Sequence, residues 1–166
     1  MRLLSSLAVI ATLALASAPA SLGAQEGLAV GSRVPAKAPL ETLDGKPADL
    51  SQYVGKGPVL FEFWASWCPN CRALAPQIAA LAKKYQGKLQ VVTVAVSVNQ
   101  PIALVRKHLA THPLPGIVLY DRQGFASEAY EAPATSYIVI VNAKGVVVYT
   151  GSGGAQQLGA AVRKAL

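Results

Sequence analysis

The sequence predicts an α/β protein: a central mixed β-sheet with helices on both faces and an N-terminal extension. Three observations carry this. Apolar runs of strand length alternate with stretches of helical spacing along most of the chain. The chain then ends on a hairpin signal followed by a helical stretch, which adds antiparallel strands to a parallel set. Hydrophobic residues make up 52% and charged residues 14% of 166 residues, enough for one packed core and one domain. The net charge of +7 is spread without a run of five like charges, so no nucleic-acid partner is expected.

The elements follow in order. Met1-Arg2, the apolar run Leu3 to Ala16 and Ala18-Pro19-Ala20 have the layout of a secretory signal peptide over residues 1–24. Cleavage is expected after Ala20 or Ala24, with a retained anchor as the alternative. The apolar run is short of the roughly 20 residues that span a bilayer. The mature chain is therefore expected in the periplasm or cell envelope.

Residues 31–39 form a proline-rich entry. Leu40 to Leu43 is a short strand closed by Asp44-Gly45, and Asp49 to Tyr53 one helical turn. Val59 to Trp64 is a continuous apolar strand interrupted by Glu62, the pattern of a buried sheet interior. From Cys68 to Tyr85, Leu74, Ile78, Leu81 and Tyr85 recur at helical spacing, and Gly87 ends the run. Leu89 to Val98 is a second long strand. Pro101 opens a helix as its first residue, and Pro113 and Pro115 break it. A strand at Ile117 to Tyr120 and a short helix at Phe125 to Tyr130 follow. Tyr137 to Val141 and Val146 to Thr150 form the hairpin, and Ala155 to Leu166 the closing helix.

Cys68 and Cys71 are the two cysteines of the chain. In an oxidising compartment a structural disulfide is the ordinary reading. A bridge over two intervening residues closes almost no loop, so it is poorly placed to stabilise the fold. Its position at a strand-to-helix junction suits redox chemistry. Free N–H groups at a helix start stabilise a thiolate on Cys68, the expected nucleophile. Cys71, one turn inward, would resolve the mixed disulfide. Glu62 sits in an apolar strand, where burial raises a carboxyl pKa and fits it to exchange a proton with Cys71. An edge-strand glutamate facing water is the other reading.

Metal and peroxide chemistry suit these residues less well. Two cysteines supply half of a zinc site, so no metal and no cofactor are expected. His108 and His112 stand four apart and read as surface histidines. A Cu(I) carrier built on the two thiolates is the alternative function. A peroxidatic cysteine would follow Thr or Ser by three residues, and Ala65 holds that place.

The segment FEFWASWCPNCRALAP resembles the active-site segment of the thioredoxin superfamily. Phe63, Trp64, Trp67, Cys68, Cys71 and Pro76 stand at family positions, and Glu62 where the family keeps a buried acid. The layout of residues 31–166, with LYDRQGFASEAY and VNAKGVVVYTG, is similar to the exported TlpA/ResA-like branch. The resemblance implies a thioredoxin-like three-layer domain. It further implies a thiol-disulfide oxidoreductase, expected to be reducing and monomeric, although the residues leave its direction open. Protein thiols and disulfides would be its partners, together with a membrane-embedded thiol reductase.

Substrate docking would use Trp67, Pro69, Thr135 and Ser136, and the dipeptide Pro69-Asn70 would tune the potential. Three departures stand out. Proline precedes Asn70 instead of following it, Glu62 is a glutamate, and the docking loop lacks the usual Thr-Pro. Ser136 falls in the cis-proline position, with Pro133 as the alternative. A serine there is expected to be trans, because a non-proline cis bond costs roughly 2.5–4 kcal/mol, and to turn its hydroxyl toward Cys68.

Overall fold

The computed structural model describes residues 26–166, so the expected signal peptide lies outside the described residues. Seven strands form one mixed sheet. They are β1 (Pro39–Thr42), β2 (Pro47–Asp49), β3 (Val59–Trp64), β4 (Gln90–Val96), β5 (Ile117–Asp121), β6 (Tyr137–Val141) and β7 (Val147–Gly151), in the order β2-β1-β5-β4-β3-β6-β7. Strands β3, β4 and β5 run parallel, and every other pairing is antiparallel.

Among the described residues four α-helices cover the sheet: α1 (Pro69–Lys84), α2 (Ile102–Thr111), α3 (Phe125–Ala129) and α4 (Leu158–Ala165). Helices α1 and α4 bury Leu74, Ile78, Leu158 and Val162 against Leu60 and Ile138 on one face. Val105 of α2 and Ala126 of α3 join Phe61, Phe63 and Val94 on the other. The alternation along β3 therefore divides its side chains between two cores. All six of its residues are buried, which places β3 in the sheet interior. Phe61 and Phe63 are fully buried, each worth roughly 1.5–3 kcal/mol in transfer from water.

Four local expectations need correction. Strand β2 is three residues long and pairs with β1, too short to announce itself by alternation. Asp49 ends it and caps the 3-10 turn Leu50–Tyr53, accepting the Ser51 N–H at 2.9 Å. Pro101 is the N-cap of α2, extended at φ −64°, ψ 155°, so the helix starts one residue later. Val146 forms an isolated bridge to Arg33, so the second hairpin strand begins at Val147. Helix α4 begins at Leu158 because the Gln156 side chain is bound to the preceding loop, as described below.

Among the described residues, no helix is long and apolar enough to cross a membrane.

Candidate active site

Strand β3 ends at Trp64, and the chain turns through Ala65, Ser66 and Trp67 into α1. The Cys68 N–H donates to Ala65 O at 3.1 Å, which closes the turn. Cys68 is the N-cap of α1, and its sulfur accepts the Cys71 N–H at 3.1 Å. The two sulfurs are joined in a disulfide. Proline at the first helical position has no N–H to leave unpaired, so Pro69 suits the start of α1. Pro76 lies inside the same helix. Cys71 is fully buried, and Cys68, the expected nucleophile, is only 2% exposed and so covered in the oxidised form. Its neighbours Trp67, Pro69 and Asn70 are exposed.

The turn is held from below by Gln100, which lies between β4 and α2. Its Oε1 accepts both the N–H and the hydroxyl of Ser66 at 2.9 Å. Its Nε2 donates to Val96 O at 2.6 Å and to Trp64 O at 3.4 Å. Gln100 is 1% exposed, so both ends of a buried amide are satisfied by the active-site turn and the neighbouring strand. The sequence gives little sign of this role: a polar residue before a proline reads as an ordinary helix entry.

Glu62 shares the sheet face of Leu60, under α1, the helix that carries Cys71. It is 2% exposed and not an edge-strand residue. Burial pushes its carboxyl up from 4.5 to about 8. Its Oε1 has no hydrogen-bond partner.

The loop expected to dock substrates lies just before β6. The Thr135–Ser136 bond is trans, and Ser136 adopts φ 66°, a left-handed conformation unusual for a residue with a Cβ. Its N–H donates to Phe63 O at 2.8 Å, continuing the β6 ladder onto β3. Its hydroxyl does not stand free toward Cys68. It accepts the Gly153 N–H at 3.0 Å, because the loop after β7 folds against it. Gln156 Nε2 donates to Ser136 O at 2.9 Å and to Gly153 O at 2.7 Å. A Cβ on Gly154 would lie 3.2 Å from Asn70 Oδ1, so this loop also abuts the dipeptide between the cysteines. Pro133 is exposed, three residues earlier.

Trp67 is 44% exposed and donates its indole N–H to Val98 O at 2.9 Å. With Val98, Ala132, Pro133 and Thr135 it lines a groove of about 390 Å³ beside the disulfide. Trp64 is buried and packs against His108, whose ring stacks on His112 at 4.5 Å. Of the two expected surface histidines, His108 is therefore half-buried, and desolvation lowers its pKa. Among the described residues, no three His, Cys, Asp or Glu side chains gather as a metal site.

A thioredoxin-fold domain with a redox-type cysteine pair at the start of its first helix is the class that this geometry defines. The chain belongs to the Redoxin family, whose model matches residues 29–165. It is 35% identical over 109 residues to the thioredoxin-like protein YneN of Bacillus subtilis, a match covering 65% of this chain and 63% of that protein. It is 28% identical over 115 residues to the thiol-disulfide oxidoreductase ResA of Halalkalibacterium halodurans, covering 69% and 64% of the two chains. The chain thus spans less than two thirds of either relative.

Among solved structures, a candidate thiol:disulfide interchange protein DsbE from Chlorobium tepidum superposes with a TM-score of 0.73 at 26% identity. That match covers 83% of this chain and 98% of that one. A secreted disulfide oxidoreductase of Mycobacterium tuberculosis gives 0.62 at 25% identity, over 75% and 92%.

Proposed function

We propose that the protein is an exported thiol-disulfide oxidoreductase acting on partner proteins, in the reducing direction. The observation that carries the reading is the Cys68–Cys71 disulfide at the N-cap of α1, with a Cys71 N–H aimed at the Cys68 sulfur. An N–H so placed stabilises negative charge on that sulfur once the bond is reduced. ResA and the secreted Mycobacterium tuberculosis protein, both similar to this chain, are named for the same chemistry.

In the reduced protein the Cys68 thiolate attacks a partner disulfide. One partner sulfur leaves as a thiolate and a mixed disulfide forms. Glu62 takes the Cys71 proton. The Cys71 thiolate then attacks the Cys68 sulfur, which releases the partner's second sulfur and leaves the Cys68–Cys71 disulfide. The partner ends as a dithiol and the pair as a disulfide, so two electrons have moved. Trp67, Pro69, Thr135 and Ser136 form the docking surface, and Pro69-Asn70 tunes the potential. A membrane-embedded thiol reductase returns the electrons.

Insulin reduction by the purified protein, with Cys68→Ser and Cys71→Ser, tests the assignment. Cys68→Ser is expected to be inactive and Cys71→Ser to trap mixed disulfides. Activity retained in Cys68→Ser removes the assigned nucleophile. Stoichiometric Cu(I) after anaerobic purification, without disulfide exchange, would replace the enzyme by a metal carrier.

A further inference from the structure

Two of the buried oxygens that lack a hydrogen-bond partner stand opposite each other in the sheet. Glu62 of β3 and Thr93 of β4 are register partners in a parallel pairing, and both Glu62 Oε1 and Thr93 Oγ1 are unpartnered. Partners in a parallel ladder point to the same face, about 4.8 Å apart along the hydrogen-bonding direction. Both residues are at most 2% exposed. The third such atom, the Tyr130 hydroxyl oxygen, belongs to a tyrosine packed on Phe61 and Phe63 on the opposite face, away from this pair.

Thr93 is the one hydroxyl residue in β4, whose sequence is QVVTVAV. Valine has the same shape and the higher apolar gain, so packing alone does not call for threonine there. Two buried oxygens with free hydrogen-bonding capacity at one register position are the setting in which an internal water is retained.

We propose that Thr93 is a positioning residue of the proton site, its hydroxyl and the Glu62 carboxyl sharing one internal water. The inference rests on the proton role given to Glu62 above. The water gives Oε1 of the ionised carboxylate a donor it otherwise lacks. Thr93 orients that water through its hydroxyl. Valine would leave the water one partner short.

The surroundings do not offer a competing charge. Burial is the whole cause of the raised Glu62 value. The β6 partner of Glu62 is Ile138. In the layer formed by α1, α4 and β7 the cations Arg72, Lys83 and Lys84 of α1 and Arg163 and Lys164 of α4 are exposed to solvent, Cys71 is held in the disulfide, and Tyr85 and Tyr149 are partly buried against the apolar cluster of Leu60 and Ile138. The Tyr149 hydroxyl is already donated to Gln156.

The test uses the full oxidised protein, in which neither cysteine titrates. Glutamate carboxyl carbons are labelled with 13C and followed by NMR against pH. The resonance lost in Glu62→Gln belongs to Glu62. In Thr93→Val the Glu62 midpoint is expected to rise by about one pH unit, the size of one lost hydrogen bond to the charged form. Thr93→Ser, which keeps the hydroxyl, is expected to return it close to wild type. A Thr93→Val midpoint equal to wild type overturns the proposal, as does a Thr93→Ser midpoint shifted as far as the valine one. The pH–rate profile of disulfide exchange separates the two readings. A profile unchanged in Glu62→Gln removes the proton role of Glu62, while the carboxyl midpoints still decide Thr93.

Discussion

Ser136 donates its backbone N–H to Phe63 O at 2.8 Å, a bond for which proline would have no hydrogen. The loop before β6 is therefore tied to the active-site strand through Ser136, the residue expected in the family's cis-proline position. The Ser136 φ of 66° is also out of reach of a proline ring. Restoring the family residue by Ser136→Pro is expected to destabilise the protein by about 3 kcal/mol, from the lost bond and the forced loop rearrangement. Ser136→Ala, which only strands the Gly153 N–H, should cost about 1 kcal/mol. Urea unfolding measures both. A proline variant as stable as wild type would show that the loop refolds without cost.

Gln100 connects the cysteine turn to the sheet, and Gln100→Leu deprives Ser66 and Val96 of their partners at once. The expected loss is about 2–4 kcal/mol, since each buried group left unpaired costs about 1–3 kcal/mol. The alkylation rate of reduced Cys68 should change with it, because the turn loses its anchor. Unfolding curves and iodoacetamide kinetics check the two effects.

Glu62 makes stability depend on pH. Its folded value of about 8 lies above the unfolded 4.5, so the folded state holds the proton more tightly. The stability this contributes is present below pH 4.5, falls as pH rises toward 8, and is flat above it. The full span is at most about 5 kcal/mol, from the 3.5-unit difference at about 1.4 kcal/mol per unit. Glu62→Gln should abolish this slope and leave the variant more stable than wild type above pH 8. Chemical denaturation of both proteins at pH 5, 7 and 9 decides it. Parallel pH dependences would mean that the carboxyl is not perturbed.

Trp67 contributes surface more than stability. Its indole is 44% exposed and holds one hydrogen bond to Val98 O. Trp67→Ala is expected to cost about 1 kcal/mol of folding free energy. KM for a protein disulfide should rise several-fold, while reduction by dithiothreitol proceeds at the wild-type rate. An unchanged KM would take Trp67 out of the docking surface.

The sequence carried the junction between β3 and α1 well, since a long apolar strand and a helical repeat meet at the cysteines. Strand β2, with three residues, offered no periodicity to read. The position of α4 depended on a side chain: Gln156 holds residues 152–157 as a loop by binding Ser136 and Gly153, a contact between distant segments. The same holds for Gln100 and Thr93. Each is an unremarkable polar residue in the linear chain, and its importance comes from burial that only the folded sheet creates. Ser136 was legible as a departure from the family pattern. Its left-handed backbone and its bond to Gly153 were not, because both require the loop after β7.

The burial of Cys68 would give the proposed oxidoreductase a kinetic filter. Thiol-disulfide exchange requires the incoming thiolate to approach in line with the S–S bond, and with 2% of Cys68 exposed that approach is mostly closed. Small thiols meeting the protein at random gain little from its surroundings. A protein that first settled on the exposed Trp67 and the adjacent groove would arrive already oriented toward the bond. Discrimination between partners would then reside in the rate of gaining access, leaving the redox potential free to be set independently at Pro69-Asn70.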